Sequence, residues 1–416
     1  MYLKKIFFYL IFCFVFILYL PYIINSFHGP LHPYVFSDLH INYVGGFIRR
    51  GLLGELARIF NPLIGNIQFF AIIFTILYFI QILLFFKLLK KYEHYLSIII
   101  FLCLSPALLM FFINFTENFM RRDVFFNIAI MSHSLILIKY NSHKLTVDSY
   151  YKIQKLFIIP FLAINILIHE LQFFFISIHI LLSYLFYNKN IKNFFKSKIF
   201  KIYLLLLIPF TLIIFNPGEP SQIEEIKKSL SLFQGVTSQD PFNALYGNIN
   251  LQLGLVLKSF YHYDYLRFIK LFFAVFFSLF LFILLFHYLF EKKIIKIKNS
   301  SLKIYPLFFL PCFLIFIAGS DFGRWINIIC FHLLSFYFTL NINKNIKLNL
   351  YNFPTNILIP VLLFAYVFLW TLPEGFMWGQ KFFYSSLFNN IYDLILSTYS
   401  YINLNIIELP LNNFKP

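Results

Sequence analysis

The chain has 416 residues, 60% of them hydrophobic and only 12% charged, and its mean hydropathy of +0.77 lies far above that of a water-soluble domain. That excludes a soluble enzyme, and it changes the meaning of the net charge of +17. In a soluble protein such a surplus would suggest nucleic acid, whereas a membrane protein gathers basic residues on one face for topological reasons. The cysteines Cys13, Cys103, Cys312 and Cys330 fall inside apolar runs with no paired spacing, so neither a disulfide framework nor a zinc site is indicated. The wealth of Ile, Phe, Lys, Asn and Tyr matches an AT-rich bacterial genome and carries no functional weight.

A hydrocarbon core of roughly 30 Å needs about 20 apolar residues per helix. The sequence repeats such runs, which predicts an all-α polytopic transmembrane bundle forming a single integral membrane domain over 1–416. About eleven helices are expected, at 5–25, 68–88, 95–114, 124–141, 153–169, 171–188, 200–215, 267–290, 304–320, 325–342 and 354–371. Lys4 and Lys5 precede a long first apolar run with no small-residue cleavage site, so the segment reads as an anchor with a cytoplasmic N-terminus. On this topology the inner face holds 21 Lys and three acids, a net of +18, and the other face 13 basic and 14 acidic residues, a net of −1. This is the asymmetry of a bacterial cytoplasmic membrane protein.

All seven arginines, Arg49, Arg50, Arg58, Arg121, Arg122, Arg267 and Arg324, fall on the face where topology does not favour positive charge. Arginine differs from lysine in presenting a planar, always charged fork that grips phosphate or carboxylate through two hydrogen bonds. Pairing with neighbouring acids is the plainer explanation for any one of them, and for Glu55, Arg58, Glu219, Glu224, Glu225 and Asp264 it is the preferred one.

The first extracytoplasmic loop, 26–67, contains Asp38, the pair Gly45-Gly46 and, from about Phe47, an amphipathic stretch expected to lie along the membrane surface. The next loop on that face is a tight hairpin with Glu117, Arg121, Arg122 and Asp123. His169 and Glu170 form the whole turn between the fifth and sixth helices, and Asp321 and Arg324 stand at a later junction. Ionisable groups at such depths are costly and face a cavity or a partner. His133, His179, His287 and His332, inside helices, read as interhelical hydrogen-bonders. The spacing of His28, His32 and His40 matches no metal motif. Residues 216–266 form a lid-like insertion on the same face, and 372–416 an interfacial tail.

This layout resembles the GT-C superfamily of polytopic glycosyltransferases, and also the bacterial O-antigen and exopolysaccharide polymerases. The resemblance rests on the first helix, the long first loop with its surface helix and Asp38 in SDLHINY, a second acidic site at Glu117 or Asp123, and the later lid. No tandem acidic pair follows Asp38. The resemblance implies transfer of a sugar from a polyprenyl-phosphate or polyprenyl-diphosphate donor to a glycan, lipid or protein acceptor on the extracytoplasmic face. Asp38 would be the general base and Arg49, Arg50, Arg122 and Arg324 would hold the donor phosphate. Glu117, Asp123, His169, Glu170 and Asp321 would orient the sugar or hold a divalent cation. The competing expectation is a transporter or flippase of a lipid-linked or anionic substrate, since the same residues can line a translocation path.

Overall fold

The computed structural model describes residues 2–90, 96–114, 118–140, 145–187, 191–238, 240–243, 245, 273–274, 276–280, 308–312, 315, 321–340, 366 and 372. Every regular element among them is helical. Lys5–His28, Asn66–Leu89 and Asp148–Ile168 are each long and apolar enough to cross a membrane. The long helix α1 (Tyr2–His28) shows why water cannot be its solvent. It buries Phe8, Val15, Tyr19 and Ile23 while Ile6, Phe7, Leu10, Phe14 and Ile17 remain exposed, so it is apolar all round. Phe8 and Phe12 meet Phe86 of α4 (Asn66–Leu89) edge to face, with centroids 5.3 and 5.0 Å apart.

The centre of the bundle is α7 (Asp123–Lys139), buried along most of its length. It packs against α4, α9 (Ile159–Ile168), α10 (Gln172–Tyr187) and α16 (Phe322–Leu340). Upstream of α9, α8 (Val147–Ile153) starts at Thr146, whose hydroxyl caps the Ser149 amide at 3.2 Å, and continues through a π-helical turn over Gln154–Ile158. The helix expected at 153–169 therefore begins six residues earlier. Those expected at 5–25, 68–88, 124–141, 171–188, 200–215 and 325–342 are present with small changes at their ends, the 200–215 one as α12 (Lys198–Tyr203), a 3-10 turn and α13 (Leu207–Ile214). Only fragments of 267–290, 304–320 and 354–371 are among the described residues, as are only Leu372 of the tail and only the first part of the insertion at 216–266.

One expectation needs correction. The run at 95–114 is not one helix but α5 (Leu96–Leu104), a turn, and α6 (Phe111–Asn114). Pro106 disfavours helical backbone at Ser105, and the chain opens there. Open backbone away from water needs partners, and Asn327 of α16 supplies them. Its amide donates to the carbonyls of Ala107 at 2.9 Å and Leu108 at 3.0 Å, while its own carbonyl accepts from Asn127 of α7 at 3.2 Å.

The loop segments form a cap over one end of this bundle. The short helix α2 (Pro33–Leu39) carries Asp38, and α3 (Gly51–Ile64) is the expected amphipathic helix. A Cβ on Gly54 would collide with the Ile41 carbonyl, so the chain folds back here because glycine lets it. Gly45 packs the same way against the backbone of Gln222, which gives the glycine pair a role in helix packing and not in ligand approach. Gln222 belongs to α14 (Pro220–Ser229), whose N-terminus is closed by a capping box between Glu219 and Gln222. Ile41 and Ile48 share a small separate core with Ile223, Ile226, Leu230 and Phe233. Hydrogen bonds from Asn42 to Ser229 (3.0 Å), from Asn66 to Gln234 (2.8 Å) and from Ser238 to Ser37 (3.2 Å) fasten the insertion to the segment around Asp38.

Asn327→Leu keeps the volume near that of the amide and takes the side-chain donor from the Ala107 carbonyl and the acceptor from the Asn127 amide, while the Leu108 carbonyl keeps the Phe111 amide at 3.1 Å. We expect it to destabilise the detergent-solubilised protein by about 1–3 kcal/mol per orphaned group, seen as a lowered Tm. An unchanged Tm would mean that the turn at 105–110 is held by other contacts.

Candidate functional site

Charge gathers where α2, the start of α3, the turn before α7, the α9–α10 turn and the start of α16 meet. Arg122, almost fully buried, reaches Asp38 twice: one Nη2 donates to its backbone carbonyl and lies 3.4 Å from its carboxylate. Nη1 donates to the Ile168 carbonyl at 3.2 Å, one of the groups that the end of α9 leaves open. Arg50 approaches Asp38 from the other side at 4.0 Å and grips Glu170 as a fork, Nε at 2.9 Å and Nη2 at 2.5 Å. Asp38 thus stands between two guanidinium groups with its side chain 14% exposed, which leaves it reachable.

Arg324 makes the second half of the constellation. It holds the fully buried Asp123 through two bonds of 2.7 and 2.9 Å, and Asp321 through a third of 2.7 Å. Its guanidinium carbon lies 5.1 Å from the centre of the Trp325 ring, whose other neighbour is His169, edge-on at 6.3 Å. The His169 Nδ1 accepts from the Leu171 amide at 3.4 Å, so the neutral ring carries its proton on Nε2. Arg121 stacks over Tyr34 at 5.9 Å, and Tyr34 sits one helical turn before Asp38 on the same side of α2.

The electrostatics follow from desolvation set against dense opposite charge. Burial pushes the Glu170 carboxyl up, but the Arg50 fork and the nearby Arg49 outweigh it and hold the group well below the usual carboxylate range. Burial likewise works against the Arg50 charge, and Glu170 restores it with a surplus. Arg49 and Arg122 are shifted the other way, since burial lowers both and the surrounding acids only partly compensate. His169 is held neutral by burial and by Arg50. Tyr34 is raised to about 12 by burial and by the charges of Asp38 and Asp321. Five arginines (49, 50, 121, 122, 324) meet four carboxylates (38, 123, 170, 321), which leaves one positive charge in surplus among the described residues.

Asp38, Arg49, Arg50, Arg122, Asp123, His169, Glu170, Asp321 and Arg324 are thus brought into one constellation, and Glu117 lies outside the described residues. Their roles differ. Asp123 is inaccessible and acts as an anchor for Arg324, whereas Asp38, Glu170 and Asp321 keep exposed edges of 14, 15 and 32%. Arg58 stays apart, paired with Glu55 at 2.6 Å on the surface of α3. His40 is not open to a metal, because its Nδ1 donates to the Phe36 carbonyl at 2.8 Å and its Nε2 accepts from Asn66 at 2.9 Å. Among the described residues no three His, Cys, Asp or Glu side chains form a group that could hold a metal ion. Tyr34 and Trp325 are the parts that sequence reasoning missed. Their proximity in sequence to Asp38 and Arg324 was the available signal. The only non-glycine residues with left-handed backbone among the described residues are Arg50 (φ +64°) and Met120 (φ +61°), both at this site. Comparison of the chain with protein-family models, curated proteins and solved structures yields no match.

His40 beneath the site supplies a pH test. Burial against Phe36, Phe70 and Phe233 lowers its pKa from 6.5 to about 4. Between these values the unfolded chain binds the proton and the folded one does not. The stabilisation is therefore complete above about pH 6.5 and is lost as pH falls toward 4, by up to about 3 kcal/mol. We expect Tm to drop from pH 7.5 to 4.5 and to drop less in His40→Gln. An identical drop in both proteins would show that His40 does not carry the effect.

Proposed function

We propose that the chain is a polytopic membrane glycosyltransferase or polysaccharide polymerase, with about eleven spans, that uses a polyprenyl-phosphate or polyprenyl-diphosphate sugar on the extracytoplasmic face of a bacterial cytoplasmic membrane. The observation that carries this reading is the convergence of arginines and acids from five separated segments on one end of an apolar bundle. Such a site suits an anionic group presented at the membrane surface. A departing lipid phosphate needs its growing charge neutralised, and guanidinium forks already oriented by carboxylates provide this without reorganising during the reaction.

Arg50, with Arg49 beside it, is the donor-facing pair, since its side chain is 17% exposed whereas that of Arg122 is 1% exposed. Arg122 is better suited to holding Asp38 and the end of α9 in register, and Arg324 to holding Asp123 and Asp321. Asp38 is the general base for the acceptor hydroxyl, with Asp321 and Glu170 left to orient sugar hydroxyls. A divalent cation, if one takes part, would share these carboxylates with their arginines. The second reading, a transporter or flippase of a lipid-linked or anionic substrate, draws support from buried histidines deep in the bundle.

The two readings part on where precursor accumulates. With the gene deleted, or with Asp38→Asn, we expect the same envelope glycan to be lost and its lipid-linked precursor to build up on the outer leaflet, while the mutant protein stays at native abundance in the membrane. Precursor on the cytoplasmic leaflet would favour the transporter. Full glycan synthesis in Asp38→Asn would remove Asp38 from the reaction.

A further inference from the structure

Below the charged cluster a second polar network runs through the bundle, and the function above makes no use of it. The Tyr203 hydroxyl meets Ser183 Oγ at 2.9 Å, Ser183 Oγ meets the Tyr150 hydroxyl at 3.1 Å, that hydroxyl meets His133 Nε2 at 3.1 Å, and His133 Nδ1 meets His179 Nδ1 at 3.0 Å. These residues come from α12, α10, α8 and α7, and all are buried. Each of the five groups can both give and take a proton, and the links between them are unbroken.

The network also has a direction. Gln154, on the π-helical turn, accepts from Tyr203 at 3.2 Å through its carbonyl oxygen, so its amide nitrogen faces His133 Nε2 at 2.7 Å and the Tyr150 hydroxyl at 2.9 Å. An amide nitrogen only donates. His133 Nε2 is then an acceptor, His133 carries its proton on Nδ1 and gives it to His179 Nδ1, and His179 carries its own on Nε2. On the neighbouring ring His332 donates from Nδ1 to the Ile328 carbonyl at 2.8 Å, so its Nε2 is an acceptor. The His179 and His332 rings lie 6.0 Å apart, and neither Nε2 has a hydrogen-bond partner among the described residues. The chain thus ends in a donor beside an acceptor.

By helix rise the network leads from the far end of the bundle toward the charged site. Tyr150 lies roughly 28 Å along its helix from His169, His133 roughly 15 Å from Asp123 and His179 roughly 10 Å from Gln172. Gln172, His179 and Ser183 share one face of α10, and Gln172, beside the Glu170 turn, is buried with both amide atoms unpartnered among the described residues. Buried titratable groups at such depth mark proton paths.

We propose that Tyr203, Ser183, Tyr150, His133 and His179 form a proton relay from the end of the bundle opposite the arginine cluster to its middle, with His332 as the next acceptor. With the Tyr203 hydroxyl turned from the Gln154 carbonyl to Ser183 and the Tyr150 hydroxyl turned to His133 Nε2, an incoming proton on Tyr203 displaces the one it held to Ser183, which passes its own to Tyr150, which protonates His133 at Nε2. His133 then loses its Nδ1 proton to His179, which releases one from Nε2. Each N–H or O–H bond broken is matched by one formed, and one charge moves from the Tyr203 end to the middle of the bundle. Gln154 is a positioning residue that sets the polarity. The proposal rests on the chain spanning a membrane and not on glycosyl transfer.

The test uses the full chain in liposomes loaded with pyranine, with a valinomycin-set potassium potential driving protons. We expect the native protein to carry protons several-fold faster than protein-free vesicles. Tyr150→Phe, which removes one hydroxyl from the chain, and the double variant His133→Gln/His179→Gln, which keeps hydrogen bonding but cannot be protonated, should both fall to the protein-free rate. If the double variant fails to give a monodisperse, helical protein, Tyr150→Phe carries the test. Native flux no faster than protein-free vesicles, or variant flux equal to native, overturns the proposal.

Discussion

The constraint on which this architecture turns is that a charge taken out of water must be met by an opposite charge in good geometry. Arg122 is 1% exposed and Asp123 0%, and burying either charge without a partner would cost several kcal/mol. Arg324 answers Asp123, Asp38 answers Arg122, and Arg50 answers Glu170. These pairs join segments far apart in sequence, so the same contacts that make burial tolerable also lock α2, α7, α16 and the α9–α10 turn to one another.

The surrounding structure serves to hold that unit in place. The insertion following α13 is fastened over α2 by its own small core and by Asn42, Asn66 and Ser37, so the helix carrying Asp38 is covered on one side and faces Arg50 and Arg122 on the other. Left-handed backbone at Arg50 and Met120, of order 1 kcal/mol each, is held by the Arg50 fork on Glu170 and by the Met120 amide donating to the Tyr78 hydroxyl at 2.9 Å. Asn327 closes the backbone opened at Pro106 one turn from Arg324, which ties the integrity of the bundle to that of the site.

Much of this was legible in the sequence because two physical signals are strong there. Long apolar runs mark helices whatever their packing, and arginines and acids gathered at the helix junctions mark a candidate site. Those signals led to Asp38, Arg50, Arg122, Glu170 and Arg324 with no structure in hand. What stayed hidden depends on distance. That Asp123 is an anchor, that Gly45 packs on Gln222, and that His40 is saturated by Phe36 and Asn66 follow from partners remote in sequence. The break after Leu104 was available in the Ser105-Pro106 pair, but high hydropathy across 95–114 masked it. The histidines suffered the opposite fate. Singly they read as packing, and only their succession from His133 to His179 beside His332 shows a path.

The account stands or falls on whether the arginine cluster recognises a lipid-borne phosphate. The direct measurement is binding of polyprenyl phosphate and of the matching uncharged polyprenol to the purified protein by native mass spectrometry, for the native chain and for Arg50→Gln. The account predicts that the native protein retains the phosphate lipid in marked preference to the alcohol, and that Arg50→Gln loses about tenfold in affinity for the phosphate lipid alone, as expected for about 1.4 kcal/mol. Equal binding of phosphate and alcohol, or no change in Arg50→Gln, would contradict it.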